Sequence, residues 1–207
     1  QRMVATGAFE RDPSTGFEWV KFRSHLSRGV TVGTMLQDEA LHFLRIGTFL
    51  ERADNTARLL DVKFQSLAGD YFGVAGDGPG QTGEAQEVDF YHWSAVLRSV
   101  SGFEVYRKVY RNVIRPDKVA ELLILRPDMP RSLAACVNEV LSNLTQVANA
   151  QSSETLRRAG RLRSDLQYGR IDEILATGLH AYLTQFLDRV GDLGVGISRD
   201  FLVPMAA

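Results

Sequence analysis

The sequence predicts an all-α protein, an antiparallel bundle of six to eight helices. Three observations carry that expectation. Apolar residues recur at helical spacing along most of the 207 residues. No proline interrupts residues 36–68, long enough for one helix of about 45–50 Å. No segment alternates like a half-buried strand, and no Asn-Gly dipeptide marks a hairpin.

Residues 1–15, with Gly7, Asp12, Pro13 and Ser14, read as an irregular lead-in. The opening Gln1 in place of Met reads as a fragment or processed product of a longer chain. From Phe17 the pattern is helical, with Phe17, Val20, Ser24 and Ser27 on one side and Trp19, Phe22 and Leu26 on the other. A break is expected near Gly29, with a further turn or two to Leu36. The long helix near 36–68 follows. Asp38-Glu39 suits the positive end of its dipole, and Phe43, Ile46, Leu50, Ala53, Ala57, Leu60 and Phe64 share one arc. Gly69 reads as its stop.

Residues 69–87 hold six glycines and a proline with no apolar period, too little to offset the entropy of ordering them. They read as a flexible loop. A P-loop needs Lys-Ser/Thr after its last glycine, and this stretch has none. Beyond it, Phe90, Trp93, Leu97 and Val100 make one stripe, continued past Gly102 by Phe103, Tyr106, Tyr110 and Val113. Pro116 suits a first helical turn before Val119, Leu122 and Leu123. Pro127 and Pro130 bracket a short connection. Leu133, Val137, Val140, Leu141, Leu144 and Val147 then form an amphipathic helix. Ser152 or Ser153 is placed to cap the next, with Leu156, Leu162 and Leu166 inward. Ile171, Ile174, Leu175, Leu179, Tyr182, Phe186, Val190 and Leu193 predict one last long helix. The whole reads as a single domain, 1–207.

Composition narrows the function classes. Lys and Arg number 24 against 25 Asp and Glu, so a dedicated nucleic-acid binder or polybasic membrane clamp is not expected. With one cysteine, Cys136, neither an internal disulfide framework nor a zinc ribbon is available. No apolar run is long enough to span a bilayer, and the N-terminus does not read as a signal peptide. A soluble, cytoplasmic protein is the expectation.

The long helix carries an unusual row. Glu51, Asp54, Arg58 and Asp61 fall at the edge of its buried arc, and Asp54 and Arg58 are i,i+4 partners. Partly buried charges need partners, so this row should engage another helix, a ligand or a metal. An interhelical salt-bridge lattice that fixes register is the simpler reading. Glu39 and His42 have the Glu-x-x-His spacing of di-metal helices, but only one copy exists, so no metal is expected. Cys136 sits mid-helix among small apolar residues and reads as a buried hydrophobe rather than a nucleophile. Arg157, Arg158, Arg161, Arg163 and Arg170 read as a solvated face balanced by acids, with phosphates or an acidic partner as the sharper alternative. Trp93, Tyr106 and Tyr110 read as core aromatics.

Phe43-Leu44-Arg45-Ile46-Gly47, followed by Leu50-Glu51-Arg52-Ala53-Asp54-Asn55-Thr56-Ala57-Arg58-Leu59-Leu60-Asp61-Val62-Lys63, resembles the signature of the bacterial alpha-E domain family. Trp93 with Leu97-Arg98, Tyr106 through Tyr110, and Pro130-Arg131-Ser132 with Cys136 are similar to later family segments. The likeness runs from about Trp19 to Leu193. It implies an all-helical protein without a firmly assigned reaction, encoded beside or fused to a circularly permuted ATP-grasp protein and often a transglutaminase-like peptidase. Such partners imply a role in making or modifying a peptide or amide-linked product. Family members start with an earlier helix bearing a similar Glu-Arg-Ala-Glu-Asn string. This sequence reads as having one copy, so the resemblance implies that the first helices are missing.

Position by position, the resemblance nominates Glu51, Arg52, Asp54, Asn55 and Arg58 on the long helix, with Arg131 and Ser132 on the later one, as ligand-binding residues. An accessory or substrate-binding protein working with an ATP-grasp ligase, with no cofactor of its own, is the leading expectation. An enzyme using the same carboxylates is the second. A purely structural bundle, whose charged face pairs with the missing N-terminal helices and whose exposed apolar patch would make a homo-oligomer or an aggregating chain, is the third.

Overall fold

The computed structural model describes residues 12–71 and 83–202. They are all-helical, as the sequence predicts. The chain divides into two compact units, one ending at Leu41 and one starting at His42.

The first unit holds α1 (Pro13–Thr34). Asp12 caps it: one carboxylate oxygen accepts from the Thr15 backbone N–H at 3.2 Å, the other from the Thr15 hydroxyl at 2.6 Å. Pro13 occupies the first turn, where its missing N–H costs nothing. Two expectations are corrected here. The helix starts at Pro13 rather than after an irregular stretch to residue 15, and it passes through Gly29 without a break. A single helical glycine costs about 1 kcal/mol, which the hydrogen bonds on either side outlast. Asp38 accepts from the Leu41 N–H at 3.2 Å and opens α2 (Glu39–Tyr71). That helix continues through Gly69 instead of stopping there. The next, α3 (Gly83–Ser99), starts inside the expected loop, whose central residues 72–82 lie outside the described ones.

The second unit is built on the arc of α2. Ile46, Ala53, Ala57, Leu60 and Phe64 are buried, and Phe64 meets Trp93 of α3 edge-on at 4.9 Å. α4 (Phe103–Tyr110) buries Tyr106, and α5 (Pro116–Ile124) starts on Pro116 as expected. Val113, placed on the Tyr106 stripe by spacing, is exposed instead. Arg111 adopts a left-handed φ of 53° and ends the helix before that position.

Tyr106 ties this short segment together. Its buried hydroxyl donates to the Val113 carbonyl at 3.1 Å and accepts from the Arg115 N–H at 3.0 Å. Burial raises its pKa, so it stays a donor at every physiological pH. Tyr106→Phe removes both bonds and should cost about 2 kcal/mol in urea unfolding. A loss below about 0.5 kcal/mol would show that water replaces the hydroxyl.

α6 (Leu133–Gln146) runs through the core and packs closely on α7 (Ser153–Tyr168). Ser152 precedes α7 but does not cap it. Its hydroxyl turns back to donate to the Asn149 carbonyl and accept from the Asn149 N–H. The last expected helix is two: α8 (Ile171–Thr177) and α9 (Leu179–Ile197). Gly178 separates them at φ 99°, a conformation that L-residues with side chains rarely adopt. That break takes the described residues to nine α-helices, followed by a π-helical turn at Ser198–Leu202. Among the described residues no helix is long and apolar enough to cross a membrane.

Candidate functional site

The Glu51–Arg58 segment lies on the stretch of α2 that runs antiparallel to α6 within the second unit. Three contacts set the register. His42 Nδ1 meets Asn143 Oδ1 at 2.9 Å, Arg45 pairs with Glu139 at 3.0 Å, and Arg52 donates to the Pro130 carbonyl at 3.3 Å. Rising numbers on α2 meet falling numbers on α6 and on the connection before it. An amide oxygen only accepts, so the proton lies on His42 Nδ1, while Asn143 Nδ2 donates to the Glu139 carbonyl. His42 is thereby engaged by an amide. Among the described residues no three His, Cys, Asp or Glu side chains converge as a metal set.

The nominated residues fall into two groups. Arg52, Ser132, Asp54 and Arg58 are engaged. The Arg52 guanidinium lies over the Phe49 ring, 4.8 Å from its centroid, as well as reaching Pro130. Ser132 is fully buried at the N-cap of α6. Its hydroxyl accepts from the Ala135 N–H at 3.0 Å and donates to the Arg126 carbonyl. Asp54 and Arg58 form a forked pair with contacts of 2.7 and 3.0 Å. That pair raises the pKa of Arg58, first through the hydrogen bond and then through Asp54's charge. The second group is Glu51, Asn55 and Arg131, which make no hydrogen bond or ion pair among the described residues. Glu51 and Asn55 are exposed, one helical turn apart, and Arg131 is half-buried beside Pro130.

The helical wheel placed Glu51 and Arg58 at the edge of the buried arc; both are exposed. An ideal wheel takes no account of where neighbouring helices end. Asp61 does sit at that edge, with its carboxylate 2.7 Å from His180 Nδ1 on α9. Of the charged row, only Asp61 reaches another helix among the described residues; Asp54 and Arg58 pair within α2, and Arg45–Glu139, also between helices, lies outside the row. The sequence reading missed Arg45 and His180 as members of these pairs, because their partners lie 94 and 119 residues away.

Cys136 is fully buried beneath this surface. Burial pushes its thiol up to about 12, against the opposing pull of Arg52 and Arg131. Native protein at pH 8 should therefore resist iodoacetamide, whereas unfolded chain, with a thiol pKa of about 8.5, should be alkylated within minutes. Mass spectrometry of both samples tests this. Rapid alkylation of the folded protein would show that the thiol is reachable.

A core of packed helices whose longest member bears a Glu-Arg dipeptide, Glu51 exposed and Arg52 half-buried, defines a helical domain in which that dipeptide bridges surface and packing. The chain belongs to the Alpha-E family, whose model, described as a predicted alpha-helical domain with a conserved ER motif, matches residues 2–202. Within the described residues the motif's dipeptide is Glu51-Arg52; a second, Glu10-Arg11, lies outside them. No curated protein and no solved structure matches the chain.

Proposed function

We propose that this chain is a cytoplasmic accessory or substrate-binding protein that acts with a circularly permuted ATP-grasp amide ligase. A transglutaminase-like peptidase belongs to the same peptide-modifying system. The observation that supports this reading is the contrast within the motif. Arg52 is held by an aromatic ring and a backbone carbonyl, while Glu51, Asn55 and Arg131 beside it keep their polar groups unengaged. A carboxylate and an amide on a helix, with a guanidinium on the adjoining turn, suit recognition of a charged peptide group or of a partner's surface. Family resemblance supplies the partner; Arg52 and Ser132 hold the surface in place.

The test is capture of the ATP-grasp protein by the tagged full-length chain, repeated with Glu51→Ala/Asn55→Ala. Both positions are exposed, so the variant should fold as the parent does. Capture by the parent and its loss in the variant would make this face the docking surface. Capture by both would move the face to substrate binding, and no capture by the parent would overturn the accessory role.

A further inference from the structure

A second polar site lies between α7 and α9, away from the α2 motif. The two helices run antiparallel. Arg189 pairs with Asp165 at 2.7 Å, and the Thr155 hydroxyl bonds to Asp200 in the turn that continues α9. Between them is a groove of about 490 Å³, within the size range of small-molecule sites.

Its charges are mostly matched. Glu154 takes both Arg157 and Arg158, at 2.7 and 2.9 Å, and those two arginines hold its pKa down to about 2. Asp165 takes Arg189. Two groove residues remain: Arg161 on α7 and Asp192 on α9 make no hydrogen bond or ion pair among the described residues. The register set by Asp165–Arg189 and Thr155–Asp200 puts Arg161 opposite positions 193–194, beside Asp192. One unengaged cation and one unengaged anion thus stand at the same level of one groove.

We infer that the α7/α9 groove binds a zwitterion, a free amino acid or short peptide, with its carboxylate on Arg161 and its ammonium on Asp192. A guanidinium presents a planar fork to a carboxylate, and a carboxylate accepts the three N–H groups of an ammonium. Four arginines line the groove against three carboxylates, so phosphate is the competing probe; it would satisfy Arg161 but leave Asp192 without a partner, which a zwitterion does not. This inference does not rest on the docking role of the α2 face, and its experiment uses no ligase.

The test titrates the isotopically labelled full chain with glycine, diglycine and triglycine, whose charges are separated by about 3.5 Å more per added residue. Amide shifts on α7 and α9 are followed by NMR. At least one probe should shift them saturably. Arg161→Gln and Asp192→Asn should each weaken that probe at least roughly tenfold, the loss of one charge-assisted contact. N-acetylation of the probe should weaken it on the parent but add nothing on Asp192→Asn. Both substitutions are at exposed positions, and unchanged thermal melts would confirm folding. No saturable shift up to about 10 mM would overturn the assignment. So would equal binding by both variants, or saturation of the same amides by inorganic phosphate at comparable concentration.

Discussion

Ser132→Ala should lower the free energy of unfolding by about 2–3 kcal/mol, the largest loss expected at any nominated site residue. The hydroxyl does two jobs in a fully buried position. It caps α6 at the Ala135 N–H and satisfies the Arg126 carbonyl across the connection from α5. Alanine leaves the Ala135 N–H without its cap and the Arg126 carbonyl with only the longer bond from the Met129 N–H, at 3.3 Å. For a chain of this length the melting temperature should fall by about 7 °C. Ser132→Thr keeps the hydroxyl but adds a methyl, and should recover only part of the loss. A melt unchanged by Ser132→Ala would show that the cap is dispensable and return the hydroxyl to ligand binding.

Arg52→Ala should cost about 2 kcal/mol, with Glu51→Ala staying within about 0.5 kcal/mol of the parent. Adjacent residues of one dipeptide would then separate cleanly into a packing residue and a surface residue. Arg52→Lys should not restore stability, because an ammonium cannot spread over Phe49 while reaching Pro130 as a planar guanidinium does. Arg52 and Ser132 grip the same connection at Pro130 and Arg126. The double variant should therefore lose less than the sum of the singles, by about 0.5–1 kcal/mol. Chemical denaturation of the four proteins measures the cycle. Strict additivity would mean that the two contacts act independently.

The helices were legible wherever local chemistry decides them. Pro116 opens a helix in sequence and structure alike, and Ile46, Ala53, Ala57, Leu60 and Phe64 of the predicted arc are buried, with Phe43 and Leu50 half-buried at its edge. Boundaries were less so. Gly29 and Gly178 look alike in the sequence, yet one lies within a helix and the other takes a positive φ that ends one. Tertiary packing chooses between those outcomes, and it leaves no trace in local composition. The site shows the same divide. The motif residues could be named, but spacing alone could not show that Arg52 turns inward to a loop carbonyl from residue 130 while Glu51 faces water. Nor could it show that Ser132 closes a turn, because its acceptor, the Arg126 carbonyl, is backbone and has no sequence signal.

Gly178 also divides the C-terminal region by how readily its backbone opens. α8 buries only Ile174 among its seven residues, whereas α6 buries Leu133 through Val137 without interruption. Local opening of α8 exposes little apolar surface, so its amide protons should exchange with deuterium through brief excursions that leave the core intact. Those of α6 should exchange only when the whole second unit unfolds. Their slowest rates then read out global stability directly, in native buffer and without denaturant.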